Sequence, residues 1–254
     1  MQKSRYWAAV LTICGSSLFA TSSLPSAAEI TQPSGVVELF TSQGCHSCPP
    51  ADRVLHELAE DGETLALAWH VDYWDYLGWK DTFGSPKSTK RQQDYARAFG
   101  SRSVYTPQAV INGHTDVVGS KGMIVEEKLR EYSGTAKGLP VPIDASISDG
   151  MLKIRIDAAP QARDATLWMV YYDNMREVDI KRGENRGKKL KYANIVRNVE
   201  MIGMVHEQTL QTEFALKDVG RRGHESCALI LQKTNKDGSP GAIIGAAFIR
   251  DVSS

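Results

Sequence analysis

The stretch GVVELFTSQGCHSCPPAD, residues 35–52, determines how the first part of the chain is interpreted. Its opening segment GVVELF consists mostly of β-branched and large apolar residues, which predicts a buried strand. After the two prolines, apolar residues recur at helical spacing until Gly62, which follows the predicted helix. The C-x-x-C pair of Cys45 and Cys48 therefore lies between a strand and a helix N-terminus, where free N–H groups and the helix dipole stabilise a thiolate.

The prolines leave two possible starting points for this helix. If the helix begins at Cys45, Pro49 and Pro50 fall late in or beyond its first turn and remove backbone hydrogen bonds. If it begins at Cys48, the prolines occupy its first positions, where proline is tolerated. In that case Cys45 gains less from the helix dipole.

The cysteine pair has three interpretations from the residues alone. A redox pair would exchange disulfides, whereas a structural bridge over so short a loop would add little stability, because stabilisation grows with loop size. A metal site would use Cys45, His46 and Cys48 as ligands for Cu(I) or zinc. A closed zinc site needs about four ligands, and the chain has no second C-x-x-C and no H-x-x-H. We predict a redox pair without metal or cofactor. Copper handling with His70 as third ligand, and an adaptor with an inert disulfide, are the alternatives.

The N-terminal segment, residues 1–28, has the pattern of a secretory signal peptide. Lys3 and Arg5 precede an apolar stretch, and small residues end at Ala28, the predicted cleavage position. The apolar stretch is shorter than the roughly 20 residues that span a bilayer. We therefore expect a periplasmic or secreted protein without a membrane span after cleavage.

The charges of the remaining chain argue against nucleic acid as a partner. The full sequence has 30 Lys and Arg against 30 Asp and Glu, and removal of residues 1–28 leaves 28 against 30. Nucleic-acid-binding proteins carry a basic stripe or a cluster of positive charges. This sequence shows no basic stripe and no long charge run. We instead expect a thiol or disulfide substrate, protein or small molecule, and a separate redox partner.

The third cysteine of the mature chain, Cys227, lies in the apolar run SCALILQ. A free cysteine in such a strand behaves as a small buried hydrophobe. We predict that Cys227 is buried and is neither paired nor catalytic.

Beyond the C-x-x-C helix, strands and helices alternate and then give way to strands alone. A strand is predicted over Thr64–Val71, followed by an aromatic-rich loop and a helix that is capped by Ser85 and runs to about Phe99. A second strand is predicted over Ser103–Gly113, with a hairpin turn at Asn112-Gly113. A last helix is capped by Ser120 and ends at Gly134. GTAKGLPVP is a predicted linker. After it, about eight runs with a period of two and a hairpin signal at Asp149-Gly150 predict a β-sandwich.

This order resembles the thioredoxin fold, and the resemblance lies in the segments GVVELF...GCHSC, ALAWHVD and YARAFGSRSVYTPQAVINGH. The resemblance implies that the Thr106-Pro107 peptide is cis and faces the cysteine pair, a minority state that native contacts must hold. The predicted fold class is an α/β thioredoxin-like domain, residues 34–136, followed by an all-β, sandwich-like domain, residues 140–252.

A closer resemblance covers nearly the whole mature chain, from Gly35 to about Arg250. The segments VELFTSQGCHSCPPAD, HVDYWDYLGWKD, YTPQAVING and GENRGKKLKYANIVR are similar to the DUF1223 family of secreted proteins. This resemblance implies a thioredoxin-like domain followed by a β-rich domain, and it brings no established activity.

Roles can be predicted for the residues near the pair. By its resemblance to a thioredoxin-like site, Cys45 is the exposed nucleophile and Cys48 the buried resolving cysteine. Glu38 resembles the buried carboxylate behind the thioredoxin pair and could pass a proton to or from Cys48, unless it is salt-bridged. His46 can carry a positive charge and favour the thiolate. With Pro107, these are the predicted catalytic residues of an exported thioredoxin-like thiol–disulfide oxidoreductase.

Aromatic residues after the second strand are candidates for substrate contact. Tyr73 and Trp74, together with Thr106, are the predicted substrate-binding residues, with a local mini-core as the alternative for the aromatic side chains. Further candidates at the end of the second strand are His70, Asp72 and Asp75.

The basic, Gly-rich segment KRGENRGKK, residues 181–189, has the composition of a loop. We predict a solvated hairpin loop, with anion binding as the alternative.

Overall fold

The structure is a computed structural model that describes residues 30–220 and 223–249. The expected signal segment, residues 1–28, lies outside the described residues. The strands are β1 (Ile30–Thr31), β2 (Gly35–Thr41), β3 (Thr64–His70), β4 (Gln108–Ile111), β5 (Thr115–Val118), β6 (Asp144–Ser148), β7 (Met151–Ile156), β8 (Ala165–Asp179), β9 (Lys189–Val205), β10 (Leu210–Ala215), β11 (Ser226–Thr234) and β12 (Pro240–Ile249). The helices are α1 (Pro49–Asp61), α2 (Pro86–Ala98), α3 (Gly122–Tyr132) and α4 (Leu216–Gly220), with a 3-10 turn at Asp75–Leu77. Within the described ranges, no helix is long and apolar enough to cross a membrane.

Nine of these strands form one mixed sheet in the order β1-β12-β11-β8-β9-β3-β2-β4-β5, and β10-β7-β6 form a second sheet. β2 and β3 run parallel, with Thr41 opposite His70, whereas β8 and β9 form a long antiparallel pair. β3 meets β9 at the pair of Ala68 and Ile195. Strands from both halves of the sequence therefore share one hydrogen-bonded sheet.

Apolar side chains on the two faces of the large sheet build the core. One face of β2 and β3 packs on α1, where Leu39 and Leu55 belong to the same buried cluster. The opposite face packs on α2 through Phe40 and Tyr95, and this cluster continues across β8, β11 and β12. The second sheet covers another part of the large sheet, since β7, β8 and β11 share a third cluster. The C-x-x-C loop leaves this framework at the end of β2, before α1.

The predicted fold class, an α/β thioredoxin-like domain followed by an all-β sandwich-like domain, is wrong. The described chain is mostly β with four short helices, and its strands do not separate into an α/β unit and a sandwich. Strand pairing is the physical reason, because without β9 the edge of β3 would expose unpaired N–H and C=O groups. Periodicity along the chain identifies a strand but not the strand it pairs with. The predicted domain boundaries, residues 34–136 and 140–252, stay a prediction.

Several local predictions are confirmed. Ser85 caps α2, and its side chain accepts a hydrogen bond from the Ser88 N–H. The turns Asn112-Gly113 and Asp149-Gly150 have positive φ at all four residues, a conformation that Asn, Asp and Gly tolerate. The Thr106-Pro107 peptide is cis, as predicted.

Two local predictions differ from the structure. Two of the eight predicted runs, ATLWMVYYD (residues 165–173) and REVDIKR (residues 176–182), do not form separate strands, because β8 continues from the first into the second and pairs with β9 along its length. Helix α3 begins at Gly122 after Lys121, and Ser120 is not its cap.

Candidate functional site

The two cysteines of the C-x-x-C motif form a disulfide between the end of β2 and the start of α1, with 5.4 Å between their Cα atoms. Cys45 and Cys48 are 1% and 0% exposed, whereas His46 and Ser47 between them are exposed. The expectation that Cys45 is the exposed member of the pair is therefore not met. In the disulfide state the protein covers both sulfurs.

Helix α1 begins after Cys48, with Pro49 and Pro50 at its first two positions. Proline has no N–H, and the N–H groups of Ala51 and Asp52 both donate to the Cys48 carbonyl oxygen, at 2.8 and 3.1 Å. This helix start therefore has none of the free N–H groups that we expected beside a Cys45 thiolate. What it contributes at Cys45 is the helix dipole alone.

The sulfur of Cys45 lies beside two hydroxyl groups. Thr106 Oγ1 donates to Cys45 Sγ at 3.3 Å, and Ser47 Oγ lies 3.5 Å from the same sulfur. The indole N–H of Trp74 donates to Thr106 Oγ1 at 2.8 Å. Because this oxygen accepts from Trp74, its own proton is directed at the sulfur. Two predicted substrate-binding residues, Thr106 and Trp74, thus lie at the disulfide.

The third predicted substrate-binding residue, Tyr73, interacts with both Thr106 and Trp74. Its hydroxyl donates to Gln92 Oε1 at 3.1 Å, and burial raises its pKa. Pro107 follows Thr106, and its carbonyl oxygen accepts from the Gly119 N–H at 3.0 Å. The cis peptide thus reaches the cysteine pair through the side chain of Thr106.

Asn185, which the sequence did not single out, holds the C-x-x-C loop from the other half of the chain. It is fully buried, and its Nδ2 donates to the carbonyl oxygens of Gln43 and Cys45, each at 2.9 Å. Lys188 Nζ donates to Asn185 Oδ1 at 2.8 Å. Residues 181–189 form the mostly exposed loop that the sequence predicts, but Asn185 points from it into the protein.

The sequence carries one signal for this role of Asn185. Gly183 and Gly187 bracket it, and both have positive φ. Glycine adopts this conformation without steric cost and permits a tight bend. The pair of glycines predicts the bend but not the loop that Asn185 reaches.

The aromatic-rich segment after β3 supports the same loop. Trp79 Nε1 donates to Gln43 Oε1 at 2.8 Å, and Gln43 Nε2 donates to Thr82 Oγ1 at 2.9 Å. The Gln43 N–H donates to Asp81 Oδ2 at 2.8 Å. These contacts agree with the mini-core alternative for this segment, although Tyr76 remains 78% exposed.

His70 and Asp81 form a fully buried pair beneath the loop. His70 Nδ1 lies 2.8 Å from Asp81 Oδ2. Burial alone would raise the pKa of Asp81, but the charge and hydrogen bond of His70, with backbone N–H donors, lower it overall. In the disulfide state the sulfurs of Cys45 and Cys48 are bonded to each other and are not available as copper ligands. Residues 30–220 and 223–249 contain no group of three or more His, Cys, Asp or Glu arranged to hold a metal ion.

Asp52, four residues after Cys48, is a second buried carboxylate that the sequence did not single out. Its Oδ1 accepts from Thr41 Oγ1 at 2.6 Å, while its Oδ2 is buried and finds no hydrogen-bond partner among the described residues. Burial raises the pKa of Asp52 to about 7, although the Thr41 hydrogen bond and the charge of His70 lower it. Helix residues four apart share a face, so Asp52 lies on the Cys48 side of α1.

The buried neighbours of Asp52 include His70, Asp81 and Tyr192. The Tyr192 ring packs on the His70 ring with 4.7 Å between centroids. Burial, followed by the charges of Asp52 and Asp81, raises the pKa of Tyr192. The hydroxyl of Tyr192 and His70 Nε2 also have no hydrogen-bond partner among the described residues. Three buried polar atoms, Asp52 Oδ2, His70 Nε2 and Tyr192 Oη, thus have no hydrogen-bond partner among the described residues.

Glu38, expected behind the cysteines, lies on the face of β2 that is turned away from α1. Its carboxylate accepts from Arg91 Nε at 2.6 Å and Arg91 Nη2 at 2.9 Å, and from the Tyr95 hydroxyl. Side chains alternate along a strand, so Leu39 faces α1 while Glu38 faces α2. The structure matches the salt-bridged alternative for Glu38, and it places Asp52 near the pair instead.

Cys227 lies in β11, buried and unpaired, as predicted. Burial raises the pKa of its thiol to about 12. A thiol with such a pKa is protonated at neutral pH and is a poor nucleophile.

The whole site lies within a span that matches a known family. A family model described as "Protein of unknown function (DUF1223)" matches residues 36–232. The chain belongs to the DUF1223 family. This confirms the resemblance drawn from the sequence segments, and Cys45, Cys48, Asp52, Thr106 and Asn185 all lie inside the DUF1223 match.

One solved structure is similar to this DUF1223 chain. It is the X-ray crystal structure of a protein from Agrobacterium tumefaciens, 36% identical in sequence, with a TM-score of 0.77. The match covers 87% of this chain and 95% of that chain. A comparison with curated proteins found no match.

Proposed function

We propose that this chain is an exported thiol–disulfide oxidoreductase that exchanges its Cys45–Cys48 disulfide with the thiols or disulfides of a substrate. The observation that carries the proposal is the Thr106 hydroxyl, which donates to Cys45 Sγ at 3.3 Å, with the Ser47 hydroxyl oxygen 3.5 Å from the same sulfur. A sulfur that stays in a structural bridge carries no charge and needs no donor. A sulfur that becomes a thiolate during the reaction is stabilised by a hydrogen-bond donor.

The exchange takes place in two steps. The Cys45 thiolate of the reduced protein attacks a substrate disulfide, so that a Cys45–substrate S–S bond forms and one substrate thiolate leaves. The Cys48 thiolate then attacks Cys45 Sγ, restores the internal disulfide and releases the second substrate thiolate. Two electrons pass to the substrate, and a redox partner that supplies two electrons resets the pair. The same steps in reverse oxidise a substrate dithiol.

We propose that Asp52 accepts the proton of the Cys48 thiol. Cys48 has to lose its proton before it attacks, and a base with a pKa near the working pH transfers protons most efficiently. Burial raises the pKa of Asp52 to about 7, and Asp52 Oδ2 has no other hydrogen-bond partner among the described residues. Glu38 is excluded from this part of the proposal, because Arg91 and Tyr95 occupy its carboxylate on the other face of the sheet.

The burial of both cysteines favours a second candidate, a structural bridge that never opens in the native protein. The two candidates differ in how the native disulfide reacts. An exchanging pair is reduced by dithiothreitol without unfolding, whereas a sealed bridge is reduced only as fast as the protein unfolds. Reduction followed by mass-tagged alkylation, at urea concentrations below the unfolding transition, separates the two.

Mixed-disulfide trapping tests the proposed roles. Cys48→Ser leaves Cys45 without its resolving partner, so it should accumulate mixed disulfides in cells that export the protein. Cys45→Ser should not, and Cys227→Ala in the otherwise intact chain should exchange normally. If neither single variant traps a partner and the native disulfide resists dithiothreitol, the structural bridge is the correct function of the pair.

A further inference from the structure

A cleft of about 590 Å³ opens on the sheet face that packs on α2. Its lining comes from the first turns of α2, from β3, β8 and β9, and from the β11–β12 turn. We call it the α2 cleft. None of its lining residues belongs to the C-x-x-C loop or to the Thr106-Pro107 peptide. Its volume is in the range of small-molecule sites, roughly 300–1,000 Å³.

The floor of the α2 cleft is apolar and aromatic. Trp168 of β8 is only half-buried in the middle of the large sheet, and Val199 of β9 is also partly exposed. Trp69 lies deeper, and its indole N–H is buried without an acceptor among the described residues. A ligand that displaced the side chains above Trp69 could offer an acceptor atom to this indole N–H. A half-buried tryptophan on a concave surface is typical of a binding site rather than of a sealed core.

The rim of the α2 cleft is cationic. Its lining includes five Lys and Arg residues against a single carboxylate, Asp94. Lys90 forms an ion pair with Asp94, with 3.0 Å between Nζ and Oδ1. Arg91 forms an ion pair with Glu38, which neutralises its charge. Lys87 pairs with no carboxylate among the described residues, since its contact is a 3.5 Å hydrogen bond to the Asn198 amide oxygen.

Arg197 and Lys233 add to this positive rim. Arg197 is about a third exposed and lies 3.8 Å from Asp173, at the limit of an ion pair. Lys233 donates to the Arg163 carbonyl oxygen and pairs with no carboxylate among the residues that the structure describes. The rim therefore retains more positive charge than the neighbouring carboxylates cancel, and an anion would enter it with favourable charge complementarity.

We propose that the α2 cleft binds an amphipathic organic anion, a small molecule with an apolar body and one carboxylate head. The apolar body lies on Trp168 and Val199, and the carboxylate lies between Lys87 and Arg197. The apolar floor disfavours a fully polar ion such as inorganic phosphate, and the positive rim disfavours neutral or cationic analogues. This site does not depend on the proposed exchange reaction.

Three probes of the same chain length test the proposal by isothermal titration calorimetry on the wild-type protein. They are octanoate, octan-1-ol and octylammonium, all below their micellar range. Octanoate should bind one-to-one and at least about tenfold more tightly than either analogue, and its affinity should fall with added salt. Equal affinity of octanol and octanoate, or no octanoate binding, would overturn the proposal.

Charge-reversal variants locate the site. Lys87→Glu combined with Arg197→Glu should weaken octanoate binding by about tenfold, on the scale of exposed ion pairs. Lys121→Glu, an exposed lysine before α3, is the matched control and should bind as wild type. Trp168→Phe should reduce the change in tryptophan fluorescence that octanoate causes in the wild-type protein. Unchanged affinity in a folded double variant, confirmed by circular dichroism, would show that octanoate binds elsewhere and would refute the α2 cleft.

Discussion

The side-chain amide of Asn185 donates a hydrogen bond to the Cys45 carbonyl oxygen over 2.9 Å, although 140 positions separate the two residues. The same Nδ2 also bonds the Gln43 carbonyl oxygen. The backbone on the N-terminal side of the disulfide therefore depends on a loop from the second half of the chain. This loop reaches the disulfide because β9, which follows it directly, joins the same sheet as β3.

Removal of this amide should destabilise the protein and loosen the C-x-x-C loop. Asn185→Ala leaves two carbonyl oxygens without their donor, at a cost of about 1–3 kcal/mol for such unsatisfied groups. Urea denaturation measures the loss, and the rate of native-state reduction by dithiothreitol should rise. Lys188→Ala is the control, because it removes only the contact to Asn185 Oδ1 and should cost about 1 kcal/mol or less. Equal losses in both variants would contradict the role of the amide.

Asp52 should make the stability of the protein fall between about pH 4 and pH 7. Its pKa is about 7 in the folded protein against an ordinary value of 3.8. The folded state therefore binds more protons than the unfolded state in this window, and the free energy of unfolding decreases as the pH rises. A difference of three pKa units corresponds to at most about 4 kcal/mol.

Urea denaturation across this pH range, for the wild type and Asp52→Asn, measures the effect. Asn keeps an acceptor for Thr41 and has no charge, so the variant should be the more stable protein above pH 7. Glu57→Gln changes an exposed acid on the same helix and serves as control. Parallel pH profiles for the wild type and Asp52→Asn would show that Asp52 ionises normally.

The Thr106 hydroxyl should stabilise the Cys45 thiolate in the reduced protein. A hydrogen bond to a charged group contributes about 1.5–3 kcal/mol, which is about one to two pKa units. Thr106→Val should therefore raise the pKa of the Cys45 thiol and slow its alkylation by iodoacetamide at neutral pH. Thr106→Ser keeps the hydroxyl and should react as wild type. A Val variant that alkylates at the wild-type rate would remove Thr106 from the site chemistry.

The ion pair of Glu38 and Arg91 should contribute to the free energy of unfolding and should not affect the rate of disulfide exchange. Arg91→Met leaves a fully buried carboxylate without its cation, and such a change costs about 3–5 kcal/mol. Lys90→Met breaks the exposed pair with Asp94 and should cost about 1 kcal/mol or less. Denaturation gives both values, and the exchange rate per folded molecule should stay unchanged. A lower exchange rate in folded Arg91→Met would restore Glu38 as a catalytic candidate.

Cys227 should be inert in the native protein. Burial raises the pKa of its thiol to about 12 and excludes reagents from it. After reduction, iodoacetamide should label Cys227 only once urea unfolds the chain. Peptide mass spectrometry identifies the labelled residues, and native labelling of Cys227 would disagree with its burial in β11.

The sequence was sufficient where local chemistry decides the conformation. The strand before the C-x-x-C motif, the helix after it, the Asn112-Gly113 turn and the Ser85 cap depend on neighbours within a few residues. Pattern and propensity report such neighbours directly. The choice between two starts of α1 was left open, and the structure places both prolines at the first helical positions.

Sequence by itself therefore determined most of the strands and helices of this protein, the position of the C-x-x-C motif between strand and helix, the burial of Cys227 and the membership of the DUF1223 family. Only the tertiary structure decided that both halves share one sheet, that Glu38 faces away from α1, that the Asp52 carboxylate is buried against Thr41, and that Asn185 reaches the Cys45 carbonyl oxygen. The physical reason is that strand pairing and burial are set by contacts between distant residues. A one-residue step along β2 moves a carboxylate from one face of the sheet to the other, and no local pattern shows which face receives α1.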